Sequence, residues 1–385
     1  MKGLRVLLVA VAVSLLVPTR ALAQTGVTVT LEAAEPKIDF GREATLSGTS
    51  TGAAPGSTVQ ILDQTSTTVA STTIGDAGAF SVQIRPSATN AYVAVLADAT
   101  SDPVTVSVRP VLKVRMAPVR LFDRVLIRGV VKPARESQTV DVSLLRAGHQ
   151  VDAREVVMSA DGSFRAVLSV GEPGTYRARA SFGAPDLSRG SARSRADTTP
   201  LPNLSSGSSG TFVRLLEKRL VDLHYRLAGA TDGRYDSRTG DAVVAFHKVQ
   251  GMARTFTVDE RTWRRLADPR LPRAAKDWRG FHFEVDQTRQ VLFTVKDGDI
   301  SNVLHVSTGA NGATRDGMFR VFSKLAGFSS HHLYYPSFFD GERALHGWTD
   351  VPTYAASHGC VRIPYWNAKW VYALADYGVR VVIYH

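Results

Sequence analysis

The sequence predicts a multidomain, mostly β protein. It reads as two β-sandwich domains, one small three-helix domain and a β-rich C-terminal domain. Three observations carry this. Residues 24–197 break into short β-branched segments in which apolar and polar residues alternate at period two, the mark of half-buried strands. Residues 211–268 change to a helical period. Residues 278–385 return to strand patterns and close on one helical stretch and a final strand. A length of 385 residues leaves room for two to four domains.

The first 23 residues form a separate class. Lys2 and Arg5 precede the apolar run Val6–Val17, and Ala21-Leu22-Ala23 follows. That is the order of a secretory signal peptide, and the run is too short to span a bilayer, which takes about 20 apolar residues. The mature chain is expected to start near Gln24 and to be exported to a periplasm or cell wall. An uncleaved anchor is the alternative. Removing Lys2, Arg5 and Arg20 lowers the net charge from +11 to +8. Counting Lys and Arg against Asp and Glu, residues 24–108 carry −5, 109–200 carry +7, 201–277 carry +5 and 278–385 carry +1. An exported chain with a basic middle suits anionic polymers at a cell surface better than nucleic acid.

Within 24–108 the strands "VTVTLEA", "ATLSGTS", "STVQILD", "FSVQIRP", "AYVAVLA" and "VTVSVRP" are separated by Gly, Pro, Asp and Ser. This suggests an immunoglobulin-like sandwich. Residues 109–197 repeat it. "ATLSG" ending at Gly48 is echoed by "VLIRG" ending at Gly129, and "DAGAFSVQI" with Phe80 by "ADGSFRAVL" with Phe164. Both segments read as spacers, because no titratable groups cluster in them. Residues 198–210 are rich in Ser, Pro and Gly and are expected to form a flexible linker.

Residues 211–268 carry Leu215, Leu216, Leu220 and Leu223 on one helical face. Asp236 or Ser237 can cap a second helix that Gly251 ends, and Asp259 can begin a third. The segment resembles the small peptidoglycan-binding module. Asp232, Gly233, Tyr235, Thr239, Ala242, Val243, Phe246, Gly251, Thr262 and Leu266 fall on its pattern, whereas His247 stands where Gln is usual and His224 where Gly is usual.

Seven of the ten histidines lie in 278–385, as does the single cysteine. His346 precedes Cys360 by 14 residues and His358 by two. A thiolate nucleophile needs a nearby base or cation, and the Gly359-Cys360 step allows backbone N–H groups to converge on an oxyanion. An unpaired cysteine in an exported chain is a candidate reactive thiol.

At these residues the sequence resembles the L,D-transpeptidase catalytic domain. His346-Gly347 and Ser357-His358-Gly359-Cys360-Val361-Arg362 match its His-Gly and S-H-G-C-x-R elements; "VSTGANGATRDGMFRV" and "LYYPSFFDGERALHG" extend the likeness over nearly all of 280–385. Arg315-Asp316 replaces the usual Pro after Thr314. The resemblance implies a cysteine acyl transfer on peptidoglycan tetrapeptide stems that gives 3→3 cross-links, serving cell-wall organisation and cell shape. Cys360 would be the nucleophile and His346 its base. Gly359, His358, Gly347 and Ser357 would orient the loop or the oxyanion, with the Gly347 carbonyl the nearest acceptor for the second His346 nitrogen. Arg362 would bind a stem carboxylate or buttress the loop. Tyr334, Tyr335 and His332, with His331, would lie on a capping loop over substrate. Carbapenem-type β-lactams would be covalent inhibitors, and no cofactor is implied. Three alternatives stay open: a carboxypeptidase with water as acceptor, a non-catalytic wall-binding protein, and a zinc hydrolase, although H-E-x-x-H and C-x-x-C are both missing.

Overall fold

A computed structural model describes residues 26–385. The expected signal peptide and cleavage site lie outside the described residues. The chain divides into two compact units. One comprises the described residues through Val111 with Phe182–Gly190; the other comprises Leu112–Ser181 with Ser191–His385. Among the described residues no helix is long and apolar enough to cross a membrane.

In the first unit, strand Ala44–Thr51 sits between Thr28–Val29 and Glu32–Ala33 and also pairs with Ala79–Ile84. A second sheet runs Lys37–Asp39, Val104–Arg109, Asn90–Leu96, Thr58–Asp63, Thr68–Thr73. The next module repeats the two-sheet plan. One sheet orders Val111–Met116, Asp123–Lys132 and Ser163–Val170; the other orders His149–Val157, Thr139–Arg146, Thr175–Ala184 and Leu187–Arg193.

The internal repeat has a physical basis. Gly48 pairs with Phe80 and Gly129 pairs with Phe164 across antiparallel strands. Each phenyl ring lies over its glycine. A Cβ on Gly48 would meet the Thr30 carbonyl at 2.0 Å and the Phe80 ring at 2.6 Å; one on Gly129 would meet the Phe164 ring at 2.2 Å and the Lys113 carbonyl at 2.5 Å. The two glycines therefore make room for a ring that fills the space above them. In the second module Lys113, Arg115, Arg124, Arg128 and Arg165 are exposed on the alternating outer positions of one three-stranded sheet, with Arg128 directly opposite Arg165. That face holds part of the basic charge read in the sequence.

The helical module contains α1 (Thr211–Asp222), α2 (Ser237–Gln250) and α3 (Glu260–Ala267). Asp236 caps α2 by accepting from the Arg238 and Thr239 amides, and Gly251 ends it in the left-handed region at φ 66°. Asp259 and Thr262 form a capping box on α3. Val213, Leu216 and Leu220 form the buried face of α1, while Leu215 is only half-buried. His247 is buried and bonded to the Thr255 carbonyl at 2.9 Å and the Thr262 hydroxyl at 3.0 Å, so the departure from Gln is absorbed inside the module.

The segment 198–210, expected as a flexible linker, is docked. Leu204 is buried and bridges to Val258, and the Trp263 indole donates to the Pro202 carbonyl at 2.8 Å. Composition misleads here because two apolar residues, Leu201 and Leu204, anchor an otherwise polar stretch in the module's core.

The C-terminal region has a five-stranded sheet ordered Asp299–His305, Val291–Lys296, Phe281–Asp286, Arg380–Tyr384, Gly317–Arg320, and a second sheet ordered Ser323–Lys324, Tyr334–Asp340, Arg343–Trp348, Val361–Pro364. Helix α4 (Tyr365–Leu374) packs on the second sheet. Strand Val291–Lys296 is buried on both faces through Val295. Val291, Phe293 and Val295 join the core of the helical module, whereas Leu292 joins Phe283, Val285, Leu304 and Ile363 on the other side. The helical module and the C-terminal sheet thus share one core. Each fully buried Val or Phe in it contributes about 1.5–3 kcal/mol of burial.

The Gly–Phe pairs give a stability prediction. Gly129→Ala should destabilise its module by at least about 1–3 kcal/mol through overpacking. Gly171→Ala, where a Cβ meets nothing within 4 Å, should change it by less than about 0.5 kcal/mol. Thermal unfolding of the two variants checks the contrast.

Candidate active site

Strands Arg343–Trp348 and Val361–Pro364 pair in parallel, with His346 opposite Arg362 and Leu345 opposite Val361. The register carries His346 and the residue just before the second strand, Cys360, to one cleft. That cleft has a volume of about 600 Å³ and is lined by His331, Leu333, Glu342, Arg343, His346, Trp348, Ser357, His358, Cys360 and Arg362.

His346 is buried, and its Nδ1 lies 2.9 Å from the Gly347 carbonyl. A carbonyl only accepts, so Nδ1 carries the proton and Nε2 keeps a free lone pair. Trp348 stands edge-on to the imidazole, with ring centres 5.5 Å apart. Burial pushes the His346 pKa down to about 4; the Gly347 bond opposes this and the Arg362 charge adds to it. Cys360 is half-buried. Burial pushes its thiol above the ordinary value, and the Ala344 amide and the Arg343 and Arg362 guanidiniums pull it back. Both shifts favour the neutral forms. The thiol is directed at the Glu342 carbonyl, 3.7 Å from the sulfur, as a protonated sulfur would be.

Gly347 is fixed by close approach. A Cβ there would meet the Ala368 Cβ at 2.5 Å and Tyr334 at 3.0 Å. Gly359 has φ 137°, and a Cβ would meet Arg343 Nε at 2.9 Å and the Ala313 carbonyl at 3.1 Å. The Ser357 hydroxyl donates to the Cys360 carbonyl at 2.5 Å and accepts from the Gly359 amide at 3.0 Å. Ser357 therefore ties the loop together. This corrects one expectation: the Gly359 N–H is committed to Ser357 and is not free for an oxyanion. Among the described residues the amides of His358 and Cys360 have no such acceptor.

Tyr334, Tyr335 and His332 do not line the cleft, contrary to expectation. Tyr334 stacks on Tyr365 with centres 4.0 Å apart, and Tyr335 packs edge-on to Tyr372 at 5.1 Å, so both rings are spent against α4. Of that segment His331 and Leu333 reach the cleft. His332 is exposed and sits at φ 59°.

Arg362 lies over the Trp348 ring at 5.2 Å and, among the described residues, has no carboxylate partner. Arg343 differs. It donates to the Ala313 carbonyl at 2.9 Å and pairs with Asp340 at 3.0 Å. Arg343, Glu342 and Trp348 were not singled out from the sequence, because only the fold turns them to the cleft. Thr308 and Thr314 were also passed over, although they lie within the quoted "VSTGANGATRDG". The Thr314 hydroxyl donates to the Gly359 carbonyl at 2.8 Å and accepts from the Gly309 amide at 2.7 Å. The available signal was the Ser307-Thr308 pair directly after an apolar strand pattern, and the structure buries both. The Arg315-Asp316 departure is held by an ion pair from Arg315 to Asp340 and a hydrogen bond between Asp316 and His385 Nδ1, where the family pattern has the stiff ring of Pro. Among the described residues no group of three or more His, Cys, Asp or Glu side chains is arranged to hold a metal.

The family model for the L,D-transpeptidase catalytic domain matches residues 280–383, and that for a putative peptidoglycan binding domain matches 209–266. A solved L,D-transpeptidase from Xylanimonas cellulosilytica is 32% identical to the chain, which covers 99% of that structure and 48% of itself, with a TM-score of 0.45. The chain belongs to the L,D-transpeptidase family. Two further solved structures match the chain. One is the catalytic domain of an E. faecium L,D-transpeptidase, at 21% identity over 29% of this chain and all of that one, with a TM-score of 0.25. The other is an L,D-transpeptidase from Mycobacterium smegmatis, at 10% identity over 71% of this chain and all of that one, also with a TM-score of 0.25. No curated protein matches the chain. The matched domains indicate acyl-transferring activity with peptidoglycan as partner, and an extracytoplasmic location.

Two pH dependences follow from this geometry. Alkylation of Cys360 by iodoacetamide should rise with pH through and beyond the ordinary thiol range, with no plateau between pH 6 and 8. A plateau there would mean a preformed ion pair. Folded His346 stays neutral down to about pH 4, whereas its ordinary value is 6.5. The unfolded chain binds more protons between those values, so stability falls as pH drops from 6.5 toward 4. His346 accounts for on the order of 3 kcal/mol of that loss. His346→Gln should flatten the slope in a pH series of thermal unfolding.

Proposed function

We propose that the protein is a peptidoglycan L,D-transpeptidase forming 3→3 cross-links through a Cys360 thioester. The observation that carries the reading is the His346 Nδ1 bond to the Gly347 carbonyl, which leaves Nε2 as a base in the cleft that holds Cys360. A tetrapeptide stem binds with its terminal carboxylate at Arg362, the cleft cation without an acid partner. Nε2 takes the thiol proton as sulfur attacks the carbonyl at the L-centre of the third residue. Because the resting pair is neutral, charge separates only as the new bond forms, in a site where burial strengthens the fixed dipoles. The amides of Cys360 and His358 hold the oxyanion. The imidazolium then protonates the departing D-Ala amine, and a thioester remains. A second stem's side-chain amine attacks it, giving its proton to Nε2, and the thiol is restored.

The matched binding module and the export signal read in the sequence fit a cell-wall site of action, with residues 24–108 and 109–197 as immunoglobulin-like spacer domains. The test is product analysis by mass spectrometry after incubation with disaccharide-tetrapeptides. We expect 3→3 dimers, their loss in Cys360→Ala, and a fall of about 10²–10⁴ in rate in His346→Gln. Tripeptide without dimer would make the protein a carboxypeptidase with water as acceptor. No product and no carbapenem adduct at Cys360 would leave a wall-binding protein.

A further inference from the structure

α2 buries a lysine. Lys248 is 3% exposed and lies where the helical module meets the C-terminal sheet. Its Nζ is 2.8 Å from the Gln290 carbonyl, 3.0 Å from the Val306 carbonyl and 2.6 Å from His305 Nδ1. His305 Nε2 is 2.8 Å from the Val351 carbonyl. A carbonyl only accepts, so Nε2 carries the imidazole proton and Nδ1 accepts from Nζ. All three ammonium hydrogens are then used, each on a different strand end or side chain.

These contacts lead to the nucleophile loop. Gln290 exchanges two hydrogen bonds with Thr308: the Thr308 amide donates to Oε1 at 2.8 Å and Nε2 donates to the hydroxyl at 2.7 Å. The Thr308 carbonyl accepts from the amides of Ala356 and Ser357, both at 2.9 Å. Val306 is followed by Ser307, whose backbone exchanges bonds with Arg362 and whose hydroxyl donates to the Tyr354 carbonyl at 2.6 Å. Ser307 and Thr308 thus grip the loop before and after Cys360. A second residue of the helical module acts on the same loop. Arg254 donates to the Thr353 carbonyl at 2.7 Å and to the Thr288 carbonyl at 2.8 Å.

We infer that Lys248 is a positioning residue for the reaction at Cys360, fixing through Gln290, Val306 and His305 the strand end and loop that aim the nucleophile. The inference rests on the reading of Cys360 given above. Stability alone does not explain the residue. Burial disfavours the charged form of Lys248, so holding the ammonium that its three acceptors require costs stability, and burial also pushes the nearby Asp241 toward its neutral form, with one carboxylate oxygen lacking a hydrogen-bond partner among the described residues. A well-packed apolar side chain in place of a buried ion is often as stable or more so. What an apolar chain lacks is three donors at fixed places. The binding module, in this view, is part of the catalytic scaffold, and its α2 sets the position of a loop more than 100 residues later in sequence.

The test uses the full chain and Lys248→Met, with Arg254→Ala as a second variant that touches the loop from an exposed position. Three quantities are read: thermal unfolding, the rate of Cys360 acylation by a carbapenem followed by mass spectrometry, and the rate of Cys360 alkylation by iodoacetamide. A displaced loop should slow acylation by about tenfold to a hundredfold, since acylation needs the oxyanion donors in place. Alkylation needs only the thiol and should change by less than about twofold. If Lys248→Met does not fold, Arg254→Ala carries the test with the same split between the two rates. Acylation within about twofold of the parent in a folded variant overturns the inference, as does an equal fall in both rates. A parent protein that forms no adduct at Cys360 overturns the functional reading and the inference with it, and is told apart because the failure precedes any substitution.

Discussion

The site depends on one short backbone grip. The carbonyl of Thr308 receives the amides of Ala356 and Ser357, and the backbone of Ser307 exchanges bonds with Arg362. Between these points the chain must turn through Gly359 at a φ that other residues avoid, and it presents Cys360 at the bend. Ser357 and Thr314 use their hydroxyls to close the turn from inside, on the Cys360 and Gly359 carbonyls. Each of these hydrogen-bonding groups has a partner, which is why the loop can be rigid without regular secondary structure. The cleft geometry is the result of that accounting rather than of any single side chain.

The same burial that fixes the loop sets its electrostatics. Taking His346 and Cys360 out of water penalises both charged forms, so the pair waits as neutral partners. Arg362 and Arg343 add positive charge nearby, but they are not equivalent. Arg343 is spent on Asp340 and the Ala313 carbonyl, while Arg362 is braced by Trp348 and left open to the cleft. Two identical side chains thus differ by what their neighbours have already taken: Arg343 is paired with an acid, and Arg362 has none among the described residues.

Much of this was legible in the sequence where a local rule applies. The Gly48/Phe80 and Gly129/Phe164 echoes pointed to a repeated pairing, because a glycine under a ring is a local, two-residue constraint. Asp236, Gly251 and Asp259 marked helix ends by the ordinary logic of caps. His346, Gly347 and Cys360 were visible as a motif. The rest was hidden for physical reasons. Tyr334 and Tyr335 look like substrate contacts until α4 is in place to stack on them. Gly359 looks like an oxyanion donor until the Ser357 hydroxyl is seen to take its amide. Lys248 reads as one more surface charge on a helix, and only the register of α2 against a sheet some 50 residues later buries it. The polar stretch 198–210 hides two leucines whose partners are 50 to 60 residues away.

Strand Val291–Lys296 has no wet side before its last residue. Its odd-numbered residues face the helices and Leu292 faces the catalytic core, so the boundary that composition draws near residue 270 runs through the middle of a layered object. A cut there would leave the larger piece with a row of valine and phenylalanine open to water. A piece from Leu201 to the C-terminus keeps both halves of that shared layer and still loses Leu121 and Phe122, which pack on the same core from the preceding module, so recombination that swaps one half must also supply a matching interior for the other.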